Sequence, residues 1–121
     1  MIGLANGLKV FVCTLPADMR RSFDGLSGMA VNIIEQDPLS GHLFVFINRK
    51  RTQMKVLYFD RSGYCVWSKR LEQGRFQVGS EKEDKMALDW TRLKLLLEGI
   101  DVRERKQYKR YMHPQTARAA V

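Results

Sequence analysis

Residues 43–71 read Leu43-Phe44-Val45-Phe46-Ile47-Asn48, Arg49-Lys50-Arg51-Thr52-Gln53, Met54-Lys55-Val56-Leu57-Tyr58-Phe59, Asp60-Arg61-Ser62-Gly63, then Tyr64-Cys65-Val66-Trp67-Ser68-Lys69-Arg70-Leu71. Three runs rich in aromatic and β-branched residues are separated by connections of hairpin length. This pattern predicts a β-meander. The first strand runs out to a basic tip at 49–53, the second returns to a turn at 60–63, and the third goes out again. The runs are nearly continuously apolar rather than strictly alternating. Both faces of the sheet should therefore be at least partly covered.

On the N-terminal side, Leu8-Lys9-Val10-Phe11-Val12-Cys13 is a further β-rich run, ended by Leu15-Pro16 because proline cannot donate to a ladder. Asp18 is placed to cap a helix over residues 18–35, with Phe23, Leu26, Met29 or Ala30, Ile33 and Ile34 at helical spacing. Gly25 and Gly28 weaken that helix by about 1 kcal/mol each relative to alanine, and a close approach of helix to sheet would account for them. Asp37-Pro38-Leu39-Ser40-Gly41 reads as a turn. On the C-terminal side, residues 77–86 read as a polar, solvated loop with the charge run Glu81-Lys82-Glu83-Asp84-Lys85. A second helix follows, with Trp90, Leu93, Leu96, Leu97 and Ile100 on one face, Asp89 as N-cap and Gly99 at its end. The expected class is α+β: a small, mainly antiparallel sheet with one helix packed on a face and a second, C-terminal helix. Residues 1–101 form one domain on this reading, and residues 102–121 a basic tail carrying Arg103, Arg105, Lys106, Lys109, Arg110 and Arg118 against Glu104.

A chain of 121 residues supports one hydrophobic core. It holds 21 Lys+Arg against 13 Asp+Glu, a net charge of +8, which favours a polyanionic partner through counterion release. Cys13 and Cys65 sit far apart in apolar runs, and His42 and His113 are isolated. Zinc takes four ligands, usually in close pairs, so buried free thiols are expected and a metal is not. No run approaches the length of a membrane span, and residues 1–9 lack the basic and apolar regions of a secretory signal. A cytoplasmic protein with no membrane partner is expected.

Four blocks carry a family resemblance. Asp18-Met19-Arg20-Arg21-Ser22-Phe23-Asp24-Gly25-Leu26 resembles the first signature of the accessory protein encoded by the second reading frame of IS-sixty-six family insertion sequences. Asp37-Pro38-Leu39-Ser40-Gly41-His42-Leu43-Phe44-Val45-Phe46 resembles the second. The third is similar to Lys55-Val56-Leu57-Tyr58-Phe59-Asp60 followed by residues 63–76, and Leu95-Leu96-Leu97-Glu98-Gly99-Ile100-Asp101 is similar to the closing helix. One departure lies at that helix. Asp89 stands where the family has a threonine cap, and Arg92 where it has Gln or Glu, so the capping box is absent. The resemblance implies a role in transposition beside a first-frame companion protein and a larger acidic-triad transposase. It brings no catalytic residues.

The residues agree with a protein that is not an enzyme. Strand transfer needs converging carboxylates holding two cations about 3.5–4 Å apart, whereas Asp18, Asp24, Asp37 and Asp60 are scattered over turns and a helix start. His42 has no reactive partner beside it in sequence, and no phosphate-binding glycine loop is present, so no cofactor is expected. The cations are better organised. In the predicted meander Arg49, Lys50, Arg51, Lys55, Lys69 and Arg70 gather at one end of the sheet, and Arg75 follows shortly after. A basic hairpin of this kind can follow a DNA backbone, while the same residues also guard a sheet edge against aggregation. Arg20 and Arg21, at the first turn of a helix, oppose its dipole and point to a salt bridge with Asp24 or to a partner protein. Most aromatics on the strands belong to the core, with base stacking as the other reading. Two functions are open at this stage: an accessory factor that contacts DNA, and an adaptor that binds the transposase or its companion without touching DNA.

Overall fold

The computed structural model describes residues 7–78 and 85–98, apart from the side chain of Trp90. Strands β1 (Val10–Cys13), β2 (Leu43–Ile47), β3 (Gln53–Asp60), β4 (Gly63–Arg70) and β5 (Lys85–Leu88) form one sheet in the order β4-β3-β2-β1-β5. The predicted meander is β2-β3-β4, paired antiparallel with Val56 opposite Val45 and Trp67. β1 lies parallel to β2, Phe11 opposite Phe44, and the chain between them crosses over through α1 (Phe23–Met29) and a π-helical turn (Ala30–Ile34). β5 closes the other edge, antiparallel to β1. The class is α+β, with a mainly antiparallel sheet.

Strand alternation sorts the core into two layers. Val10, Val12, Leu43, Val45, Ile47, Met54, Val56 and Leu88 point to one face, where α2 (Trp90–Leu97) delivers the fully buried Leu93 and Leu96. Cys13, Phe44, Phe46 and Leu57 point to the other, against Leu26, Met29, Ala30 and Ile34 of the first helix. All five residues of β2 are buried, because this strand is central and covered on both sides. Burying an aromatic such as Phe44 or Phe46 contributes roughly 1.5–3 kcal/mol by area.

Three lysines tie helix ends to the sheet. Lys69 Nζ donates to the carbonyl of Leu97 at 2.8 Å, at the C-terminal end of α2. Lys85 Nζ donates to Ile34 O at 2.8 Å, where the π-helical turn ends. Lys55 Nζ donates to Arg21 O at 2.8 Å, just ahead of α1. The first two satisfy carbonyls that a helix leaves unpaired and place a cation at the negative end of its dipole.

Several expectations need correction. The first helix starts at Phe23, not Asp18. The Asp18 carboxylate accepts the Arg20 backbone N–H at 2.9 Å, and Arg21 N–H donates to Asp18 O at 3.0 Å, so residues 18–21 close a turn of their own. Ser22 occupies the cap position without a side-chain hydrogen bond. Phe23 is 45% exposed and does not join the core. The glycines do not mark a contact between helix and sheet. A Cβ on Gly25 would meet the Arg21 side chain at 3.1 Å, and one on Gly28 would meet open space. Lys85–Leu88, read as the end of a loop and the approach to a helix, is an edge strand in which Leu88 pairs with Val10 and is buried. At α2 the expectation holds: Asp89 Oδ1 accepts the Arg92 backbone N–H at 2.8 Å. Gly99, Ile100, the charge run at 81–84 and the 102–121 tail lie outside the described residues.

Candidate functional site

The connection from β2 to β3 is held by one side chain. Asn48 Oδ1 accepts the backbone N–H groups of Thr52 at 2.9 Å and Gln53 at 3.0 Å, while its Nδ2 donates to Thr52 Oγ1 at 3.3 Å. Arg51 N–H donates to Asn48 O at 3.0 Å, and Arg51 adopts φ 60, the left-handed region. That conformation costs a non-glycine residue roughly 1–2 kcal/mol. It persists because the segment after β4 clamps the tip from outside: Leu71 N–H donates to Thr52 O at 2.8 Å and Phe76 N–H to Arg51 O at 2.7 Å. Gly74, at φ 83, turns the chain so that Phe76 enters the core fully buried while Arg75 faces out.

Between tip and clamp lies a groove of about 550 Å³ lined by Arg49, Lys50, Arg51, Thr52, Arg75 and Gln77. Four cations border it, and no carboxylate stands among the described residues that line it. Such a surface carries a concentrated positive potential and offers guanidinium groups to a bidentate anion such as phosphate.

The other cations expected here are arranged differently. Arg70 lies opposite Gln53, at the same end of the sheet, and its Nη2 approaches Glu72 Oε1 at 3.2 Å. Lys55 and Lys69 belong to the first residues of β3 and the last of β4, but they point to opposite faces, each toward a helix-flanking carbonyl. Their alternation was readable, since Lys69 pairs with Met54, the neighbour of Lys55. Arg61 sits in the turn at the far end.

Arg20 does not pair with Asp24. Its Nη2 lies 2.7 Å from Asp18 Oδ2, and its Nε is 3.1 Å from both carboxylate oxygens. Hydrogen bonds from the Arg20 side chain and backbone hold the Asp18 carboxyl at about 2, below the ordinary 3.8. An exposed pair of this kind contributes little to stability. Arg21 is exposed beside it, and Phe23 and Val31, 45% and 50% exposed, leave apolar surface on the adjoining helix. His42 Nδ1 accepts the Lys9 backbone N–H at 3.0 Å and its ring meets Phe11 edge-on, which makes it a pin between β1 and β2. Cys13 is buried and Cys65 half-buried, both as free thiols. Beside Cys65, burial raises the Tyr58 phenol above its ordinary value, with the thiol adding to the shift. No group of three metal-ligating side chains occurs among the described residues, and no described helix is long and apolar enough to cross a membrane.

Asn48 and Phe76 are the site-forming residues that sequence reasoning passed over. An asparagine opening a turn reads as generic turn chemistry, and one aromatic in a polar stretch gives no periodicity.

Residues 8–107 match the family model described as IS66 Orf2 like protein. The chain is 35% identical over 103 residues to the uncharacterized protein y4hO of Sinorhizobium fredii (strain NBRC 101917 / NGR234), covering 85% of this chain and 90% of that one. It is 33% identical over 101 residues to the uncharacterized protein y4jC of the same organism, covering 84% and 86%. No solved structure matches. With its four sequence blocks, its α+β architecture and a match over most of its length, the chain belongs to the family of IS66 Orf2 like proteins.

Proposed function

We propose that this protein is a non-catalytic accessory factor in the transposition of an insertion sequence, and that its basic sheet end contacts the DNA backbone. The observation that supports this reading is the groove in which Arg49, Lys50, Arg51 and Arg75 surround one cavity on a tip locked by Asn48. Each phosphate neutralised by a fixed cation releases condensed counterions, which favours a DNA backbone where four cations border one groove. Arg70 stands at the rim, and Lys55 and Lys69 add to the local potential from either face. The protein works in the cytoplasm with the element's DNA, its transposase and its first-frame companion. The test is a gel shift with the element's ends against scrambled duplex, with and without the transposase. The proposal expects retention of either duplex at low salt and release as salt rises.

A second reading is favoured by the segment that follows Arg20 and Arg21, where Phe23 at the start of α1 and Val31 in the π-helical turn are exposed. Apolar anchors beside cations suit an acidic protein partner. On this reading the protein is an adaptor for the transposase or its companion. Absence of any duplex retention at low salt, with the transposase still captured, decides for the adaptor.

A further inference from the structure

The two edges of the sheet are built differently. β5 is an edge strand of four residues that opens with Lys85, short and charged as exposed edges commonly are. β4, at the opposite edge, runs for eight residues, and no described strand lies beyond it. Its pairing with β3 is unbroken from Gln53 and Arg70 to Asp60 and Gly63, so no bulge twists this edge away. Gly63-Tyr64-Cys65-Val66-Trp67-Ser68 contains no proline and no charge. Lys69 is turned to the Leu97 carbonyl and Arg70 to Glu72. An edge that is long, regular and uncharged is a template for another strand.

The backbone shows which groups are open. Leu71 N–H donates to Thr52 O at 2.8 Å, and Gln53 O, opposite Arg70, accepts Asn48 N–H at 3.1 Å from the β2 side. Bonding direction alternates along a strand. Cys65, Trp67 and Lys69 therefore bond to β3, while the N–H and C=O groups of Tyr64, Val66, Ser68 and Arg70 face away from it. This outward set is self-complementary. With two copies of β4 antiparallel and Trp67 opposite Trp67 of the partner subunit, Tyr64 pairs with Arg70 and Val66 with Ser68, and every outward group is satisfied. The neighbouring registers set Arg70 against Ser62 or Tyr64 against Glu72, both outside the strand.

The side chains favour the same arrangement. The central Trp67 pair is of the non-hydrogen-bonded kind, in which side chains approach most closely, and aromatic pairs across strands are stabilising. Tyr64 and Trp67 are half-buried in the single chain, so apolar surface remains to be covered. Arg70 stands opposite a tyrosine ring, which attracts a cation. A parallel pairing sets the two basic tips side by side, like charge against like. We propose that the protein forms a two-fold symmetric dimer through β4, its partner a second copy of the same chain. The two hairpin grooves then lie at opposite ends of one joined sheet, so a single particle presents two sites to DNA. This consequence alone rests on the phosphate reading; the dimer itself is measured without DNA.

The experiment is sedimentation equilibrium of the full chain over a concentration series, with amide hydrogen exchange followed by NMR on the same samples. The expected mass rises with concentration to twice that of the chain. Exchange at Tyr64, Val66, Ser68 and Arg70 should slow in step with it, while Cys65 and Trp67 are protected throughout. Ser68→Pro, at an exposed position, removes an N–H that faces away from β3 and is expected to abolish the dimer while the chain stays folded. The exchange pattern of the wild-type chain needs no variant and decides even where S68P fails to fold. A chain that is monomeric at every concentration overturns the dimer. Protection of the four amides that does not depend on concentration assigns the edge to a segment of the same chain and overturns it as well. A dimer in which these amides exchange fast, or which persists in folded S68P, overturns the assignment to β4.

Discussion

The amide oxygen of Asn48 accepts the backbone N–H of Thr52 at 2.9 Å, and this bond fixes the tip on which Arg49, Lys50 and Arg51 stand. Asn48→Ala removes it together with the bond from Gln53 N–H. Leaving those partly buried donors without the amide is expected to cost about 1–3 kcal/mol in urea denaturation. DNA affinity should also fall, while the number of phosphates neutralised, and so the salt slope, changes little. An affinity equal to wild type in the folded variant would show that rigidity of the tip is irrelevant to binding.

Lys69 tests the division between structural and phosphate-binding cations. Lys69→Met keeps the stem and removes the ammonium that meets Leu97 O. The expected loss is about 1–2 kcal/mol of stability, from a charged hydrogen bond at a helix end. The salt slope should stay within error of wild type. An unchanged denaturation midpoint with a slope lowered by about 0.9 assigns Lys69 to a phosphate instead.

Much of this arrangement was legible beforehand. The meander at 43–71 followed from three β-rich runs and hairpin-length connections, and with it the meeting of Gln53 and Arg70 at one end of the sheet. Covering of both faces followed from the unbroken apolarity of Leu43–Ile47. The edge strand β5 was not legible, because four residues of mixed character, Lys85-Met86-Ala87-Leu88, show no period until β1 is there to pair with them. The start of α1 was misplaced because Asp18 has two uses for its carboxylate, and the side chain of Arg20 settles which one applies. The groove itself depends on Phe76, whose burial turns Arg75 outward, a tertiary effect with no local pattern.

Asp18 provides a pH-dependent signature of that local turn. Its carboxyl is held at about 2, chiefly by the Arg20 guanidinium. A depressed value means that the folded state gains from the ionised form above the unfolded value near 3.8, and that the gain is lost as pH falls through about 2. Carboxyl chemical shifts followed by NMR should place the Asp18 midpoint near 2, and Arg20→Ala should return it toward 3.8. A midpoint unmoved by R20A would mean that the pair does not persist in solution.

Gly28 lies in α1 with open space where a side chain would stand. Gly28→Ala should therefore raise stability by about 0.5–1 kcal/mol through helix propensity alone. At Gly25 the same change meets Arg21 at 3.1 Å and should gain less. A thermal midpoint that falls for Gly28→Ala would show that this face is covered in solution.

The seating of DNA phosphates in the hairpin groove is decided by the slope of log affinity against log salt on a random duplex. Three proteins are compared: wild type, a variant with Arg49, Lys50 and Arg51 all replaced by alanine, and one with Arg105, Lys106 and Lys109 replaced in the same way. Arg49 and Lys50 are exposed, where substitutions usually stay within about ±0.5 kcal/mol each, and Arg51 is half-buried, so the stability of the tip variant is measured by denaturation alongside its binding. The tip change should lower the slope by about 0.9 for each phosphate no longer neutralised, up to about 3 units, and weaken binding alike on every sequence, while the tail change moves it less. A larger effect from the tail change, or no change of slope from either, contradicts the assignment of DNA to this groove.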